Sequence, residues 1–284
     1  MTVSCDSEQL RLPRILCLHG GGSNARVFRA QCRSITVILG THFRFVFVDA
    51  PFLSQAGPCV LSVYNGWGPF RRWLRWTDDH PEMDAAAATA AIEKSIQLAI
   101  EQDDALGATG EVVALLGFSQ GAKMAASMLY RQQVRMMRKK KEPEMGLAQG
   151  TNAMCFRFGV LLAGRGPLVA MDPEFLSRSS LPDTSALSGV DSGYSDVNDK
   201  GEHTLHIPTL HVHGLQDPGI NCHRRLYERY CDGATTRLVE WNGDHRVPIK
   251  TCDVIAVVGE IMSLARQTGV LGAWNYLEVD EKLL

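Results

Sequence analysis

A serine hydroxyl becomes a nucleophile when a base takes its proton and an acid orients the base. This chain carries those three residue types at three equivalent places. Gly117-Phe118-Ser119-Gln120-Gly121 fits G-x-S-x-G, ends an apolar run (Val112–Phe118) and opens a segment with helical patterning. Strand, turn and helix in that order predict a nucleophile elbow, with the serine on a strained turn above a sheet. The two glycines remove side chains that would collide with the strand and helix, and the helix N-terminus favours developing negative charge. Alone the pentapeptide is a weak signal, because a strand–helix turn with a serine N-cap looks the same.

The partners follow in the expected chain order. Asp217 comes just after the run Thr209–His213, in Gly214-Leu215-Gln216-Asp217-Pro218. His245 comes just after Thr236–Trp241, in Asn242-Gly243-Asp244-His245. Loops past the C-terminal ends of parallel strands share one sheet edge, where α/β active sites form. Ser119 is therefore expected to be the nucleophile, His245 the base and Asp217 the acid. Asp244 is a rival acid, but as the neighbour of His245 in sequence it is poorly placed to reach the ring. A tetrahedral intermediate also needs N–H donors. The loop His19-Gly20-Gly21-Gly22-Ser23-Asn24 follows the first strand, so Gly21 and Gln120 are expected to form the oxyanion hole, with Gly22 beside the substrate.

The same loop matches a dinucleotide fingerprint through Gly20, Gly22 and Ala25, with Asp49 ending the second strand. That reading leaves Ser119, Asp217 and His245 unused, whereas hydrolysis uses the glycines too, so no cofactor is expected. His211 and His213 alternate on one strand with His206 nearby. No carboxylate or cysteine completes a zinc set with them, and no metal is expected.

The elements that must position these residues are legible as an alternation. Strand-length apolar runs occur at Arg14–His19, Phe43–Asp49, Val112–Phe118, Phe158–Ala163, Thr209–His213 and Thr236–Trp241. Helical patterns fall between them at Asn24–Leu39, Asp84–Leu106 (Asp84 as N-cap), Ser119–Met137, His223–Cys231 and Val254–Thr268. The class is α/β with a mostly parallel sheet. One domain over residues 1–284 is expected, with wall or lid insertions at 51–83 and 177–203. The first insertion holds Trp67, Trp73 and Trp76, which are expected to wall an acyl site; the second is rich in Ser, Asp and Gly.

Of the 284 residues, 45% are apolar and the formal net charge is -2, which argues against nucleic acid as a partner. No apolar run is long enough to span a bilayer, and the N-terminus shows no signal-peptide pattern. Eight scattered cysteines without a C-x-x-C pair suit a reducing, cytoplasmic setting.

Taken together, LCLHGGGSN, Asp49-Ala50-Pro51, RRWLRW, GFSQGA, HVHGLQD and GDHRVP resemble the fungal serine hydrolase family of the α/β-hydrolase superfamily. That family includes polyketide-releasing thioesterases of lovastatin-type pathways and serine hydrolases of citrinin-type pathways. The resemblance runs from about Pro13 to about Leu264. It implies an α/β-hydrolase fold, a Ser119–His245–Asp217 triad and an acyl substrate, with an acyl carrier domain of a polyketide synthase as the expected partner that presents it. Arg71, Arg72 and Arg75, or the Arg135–Lys141 cluster, are the expected docking face for such an acidic carrier. A free-ester carboxylesterase and a catalytically silent binding protein are the alternatives. Asp244 departs from the glycine common before the histidine in relatives.

Overall fold

Residues in the middle of this fold alternate between two hydrophobic layers, as a strand buried on both faces requires. In the computed structural model the described residues are 7–58, 60–141, 154–172, 181–188 and 201–272. Strands β1 (Arg14–Leu18), β2 (Arg44–Val48), β3 (Phe52–Ser54), β4 (Phe70–Arg72), β5 (Val112–Phe118), β6 (Phe158–Leu162), β7 (Thr209–Gly214) and β8 (Thr236–Trp241) are joined by helices. The helices are α1 (Ala25–Gln31), α2 (Arg33–Leu39), α3 (Leu61–Tyr64), α4 (Ala85–Ala105), α5 (Gln120–Lys141), α6 (Ile220–Tyr230) and α7 (Thr251–Gln267). Six strands form one parallel sheet in the order β2-β1-β5-β6-β7-β8. Leu16 and Leu18 of β1 turn toward the layer shared with Ile92 and Ile96 of α4, Met124 and Leu129 of α5 and Leu226 of α6. Ile15 and Cys17 turn the other way, toward Phe28 of α1, Ile35 of α2 and Val257 and Ile261 of α7.

Asp84 caps α4 as expected, its side chain accepting the Ala87 N–H at 2.9 Å. Two expectations need correction. The helix expected over Asn24–Leu39 is two seven-residue helices. The backbone turns at Cys32 (φ -83°, ψ 0°), so each helix can lay its own apolar pair on the sheet, Val27 and Phe28 first and Ile35 and Leu39 second. The insertion at 51–83 also holds more order than its sequence suggests. β3 and β4 pair antiparallel within it, Phe52 opposite Arg72, and Arg71 bonds the glycine loop at Ser23 and Gly22. These strands have three residues each, too short for an alternation to show. Of the expected lid at 177–203, residues 177–180 and 189–200 lie outside the described residues.

Candidate active site

β5 ends at Phe118 and α5 begins at Gln120, which leaves one residue for the turn. That residue, Ser119, sits at φ 54°, in the left-handed region that costs a side chain energy. The turn closes only because its flanks are glycine. A Cβ on Gly117 would come 2.4 Å from Gly121 O, and one on Gly121 would come 2.0 Å from Leu18 O. The Ser119 N–H bonds Leu162 O on the neighbouring strand (2.8 Å).

The loops after β7 and β8 bring the other two residues to this turn. His245 Nε2 faces Ser119 Oγ at 3.0 Å, and His245 Nδ1 faces Asp217 Oδ2 at 2.5 Å. Donation from Nδ1 to a carboxylate leaves Nε2 free to accept the serine proton. Asp217 is 2% exposed. Its burial alone would raise the carboxyl pKa, but bonds from His223, His245 and the Gly219 N–H outweigh it and hold the group well below the usual carboxylate range. Asp244 instead pairs with Arg246 at 3.1 Å. Asp217, His223 and His245 also form a cluster of metal-ligand type, yet each side chain in it is engaged in hydrogen bonds within or beside the cluster.

A cavity of about 690 Å³ opens over Ser119 and His245, a volume suited to a small ligand. Gly20, Gly21 and Gln120 line one side. Gln120 is the first residue of α5, where a backbone N–H has no carbonyl four residues back to meet. Val60, Val63 and Tyr64 from the first insertion and Pro182, Ala186 and Leu187 from the second form further walls.

The expected substrate residues divide. Trp76 lines the cavity. Trp73 does not: it is fully buried, and its indole N–H donates to His19 O at 2.8 Å. Trp67 does not line it either, since its ring packs against Tyr64 and under the Arg26 guanidinium. Gly22 is structural too. Its N–H donates to Arg71 O, and a Cβ there would come 2.2 Å from Gly57 N. The tryptophan segment is therefore mostly a brace. Gln120 Oε1 accepts the Trp73 and Leu74 N–H groups (2.8 and 3.2 Å), tying this segment to the elbow.

The first basic cluster also differs from expectation. Arg72 is 4% exposed, Arg71 donates to Ala50 O, and Arg75 bonds His80 O and pairs with Glu82. None of the three offers a free docking face. Arg135 pairs with Asp172, and the second cluster lies at the far end of α5, about 30 Å from Ser119 by helical rise. His211 and His213 do face one way, but they pack edge-on against each other and against Tyr227. Burial, chiefly, lowers their pKa values to about 3 and about 4.

Three residues beside the site escaped the sequence reading. His223 sits on the buried stripe of α6 with Leu226 and Tyr230. Its spacing marks a core face, and only its being histidine hints at more. His19 is buried, with Nδ1 toward Gly20 O and Nε2 accepting the Ala50 N–H. Lys123 interrupts the small apolar run after Ser119, which was a visible signal.

The family model described as Serine hydrolase (FSH1) matches residues 9–257. The chain belongs to this family. It is 51% identical over 273 residues to the probable esterase tazC of Aspergillus terreus, a match covering 96% of this chain and 100% of that one. It is 53% identical over 270 residues to esterase pigG of Monascus ruber, covering 94% and 97%. Esterase citA of Monascus ruber is 54% identical over 262 residues, covering 92% and 95%. Membership of the FSH1 family makes the chain an enzyme, a serine hydrolase of the α/β-hydrolase fold. Among the described residues, no helix is long and apolar enough to cross a membrane.

Proposed function

We propose that this serine hydrolase is a thioesterase that releases or edits a polyketide acyl chain held on an acyl carrier domain. The observation that carries the chemistry is the series Ser119 Oγ, His245 Nε2, His245 Nδ1 and Asp217 Oδ2, with contacts of 3.0 and 2.5 Å. Ser119 Oγ attacks the carbonyl carbon while its proton passes to His245 Nε2. The oxyanion is held by the N–H groups of Gly21 and Gln120. The tetrahedral intermediate collapses, its bond to sulfur breaks, and His245 returns the proton to the leaving thiol. Water, deprotonated by the same nitrogen, then cleaves the acyl-Ser119 ester and yields the free acid. Asp217 holds the ring in the required tautomer and offsets its transient charge.

The polyketide assignment rests on the family resemblance and on the relatives named esterase from fungi. A cavity walled by Val60, Val63, Trp76 and Leu187 suits an acyl chain. The six described cysteines are unpaired thiols, which supports a cytoplasmic location. Two measurements test the proposal. A fluorophosphonate probe should add once to the wild type and not to Ser119→Ala, read by intact mass. The ratio of kcat/KM for a carrier-bound acyl thioester over a matched free ester should exceed one; the reverse preference would make the protein a small-molecule carboxylesterase. Tight ligand binding without labelling or turnover would make it a silent binding protein.

A further inference from the structure

Two cations in the cavity have nothing on the described chain to neutralise them. Lys123 lies one helical turn after Ser119, its N–H bonded to Ser119 O at 3.1 Å, and is 7% exposed. Its side chain lines the cavity beside Arg165, Gly219 and Cys222. Among the described residues, no hydrogen bond or ion pair reaches its ammonium; the groups it feels are Arg165 and Arg225, both of like sign, and, more weakly, the Cys222 thiol, which acts the other way. Arg165 also makes no ion pair among them, and its Nε is buried without a partner. The guanidinium packs over Gly219, where a Cβ would come 2.6 Å from Nη2.

The rest of the lining does not compensate. Arg33 and Arg246 add positive charge, and among the described residues Asp183 is the one carboxylate in the lining. Asp183 Oδ1 already accepts from the Ser185 N–H and hydroxyl. Burying an unpaired cation is costly, and two of like charge cost more. Burial and the two arginines together lower the Lys123 pKa to about 8, so the group still carries most of its charge at neutral pH. A charge kept under such strain at the wall of a reactive cavity marks a ligand contact.

We infer that Lys123 and Arg165 form a recognition site for an anionic group of the substrate, roughly one helical turn from the nucleophile. The inference deepens the proposed function and rests on it for the meaning of the word substrate. A guanidinium fork and a point charge together suit an oxyanion such as a carboxylate or a phosphate. Two sources fit: an acidic group on the acyl chain, or the phosphate of a phosphopantetheine arm.

The test uses Ser119→Ala protein, whose bound ester or thioester stays intact, and isothermal titration calorimetry. One pair of ligands is p-nitrophenyl hexanoate and mono-p-nitrophenyl adipate. The other is S-hexanoyl pantetheine and S-hexanoyl 4′-phosphopantetheine. In one pair the charged member should bind about tenfold or more tighter. The ratio should fall to near one when Lys123→Met and Arg165→Gln are added, and survive Lys123→Arg alone. Preference within the ester pair assigns the anion to the acyl chain; preference within the pantetheine pair assigns it to the arm. Equal affinity within both pairs, no binding of any of the four, or a ratio that persists after the double replacement would overturn the inference. Hydrolysis of the esters by Ser119→Ala at the wild-type rate would instead reject the acyl-serine mechanism, while the affinity ratios, read at early times, would still judge the anion site.

Discussion

His223 and His245 bond the same carboxylate oxygen. His223 Nε2 lies 2.8 Å from Asp217 Oδ2 and His245 Nδ1 lies 2.5 Å from it, with the two rings stacked 5.8 Å apart. His223 Nδ1 also faces Gly164 O at 2.9 Å. Carbonyl and carboxylate oxygens only accept, so a ring that makes both bonds donates from both nitrogens. Asp217 is thus held from two sides, and His223 is a positioning residue for the relay.

Replacing His223 by Ala should remove one of the donors that keep Asp217 buried and ionised. The expected result is a fall in kcat of about 10- to 100-fold. KM should change little, because His223 does not line the cavity. Steady-state kinetics on one acyl ester reads both parameters. An unchanged kcat in a folded variant would show that His245 alone suffices to hold the carboxylate.

Lys123 should cost the fold stability. Its folded-state pKa of about 8 lies below the ordinary lysine value of 10.5, so the unfolded chain binds more protons between those values. Wild-type stability therefore rises as pH climbs from 8 to 10.5, and the cost is fully present below 8. Lys123→Met should be more stable at pH 7 by about 3 kcal/mol at most, with the advantage shrinking toward pH 10. Urea denaturation at the two pH values measures the difference. A destabilised methionine variant would mean that the ammonium has a partner after all.

Acid should unfold the protein early. His19, His211 and His213 have pKa values lowered to about 4, about 3 and about 4, in each case mainly by burial. They stay neutral in the fold while the unfolded chain protonates them near 6.5. Stability is then full above pH 6.5 and falls as pH drops toward 4, with a slope approaching about 4 kcal/mol per pH unit. Asp217 adds a separate loss below about pH 4, because its folded pKa lies below the usual carboxylate value. A Tm that stays level between pH 7 and 5 would contradict the burial of these rings.

The parts of this structure that were legible in the sequence share a cause. β1, β5, β6 and β7 are buried along nearly their whole length, so each is a continuous apolar run. Ser119 and Asp217 stand immediately or a few residues after such runs, which puts position into the sequence itself; His245 follows β8, an edge strand of the sheet that is only part-buried, and is placed by its order after Asp217. His223 and Arg165 depend on which helix face meets which loop, and no local pattern records that; Lys123 shows in the sequence only as a charge within the apolar run after Ser119. The helix break at Cys32 and the three-residue strands β3 and β4 fall below the length at which periodicity is informative.

The three tryptophans of the first insertion look alike in sequence and do different things, which two variants should separate. Trp73 has no exposed surface and bonds His19 O beneath the glycine loop. Trp73→Ala leaves a cavity and an unpaired buried carbonyl, and should cost about 3–5 kcal/mol of stability. Its effect on turnover should follow from the displaced glycine loop, as a loss in kcat. Trp76 lines the substrate cavity and is only partly buried, its indole N–H 3.3 Å from Ser54 Oγ. Trp76→Ala should shift Tm less than Trp73→Ala and raise KM for longer acyl chains more than for acetyl. Thermal unfolding and kcat/KM across a series of acyl lengths distinguish the two. A chain-length profile unchanged by Trp76→Ala would move the acyl wall to the valines of the first insertion and Leu187 of the second.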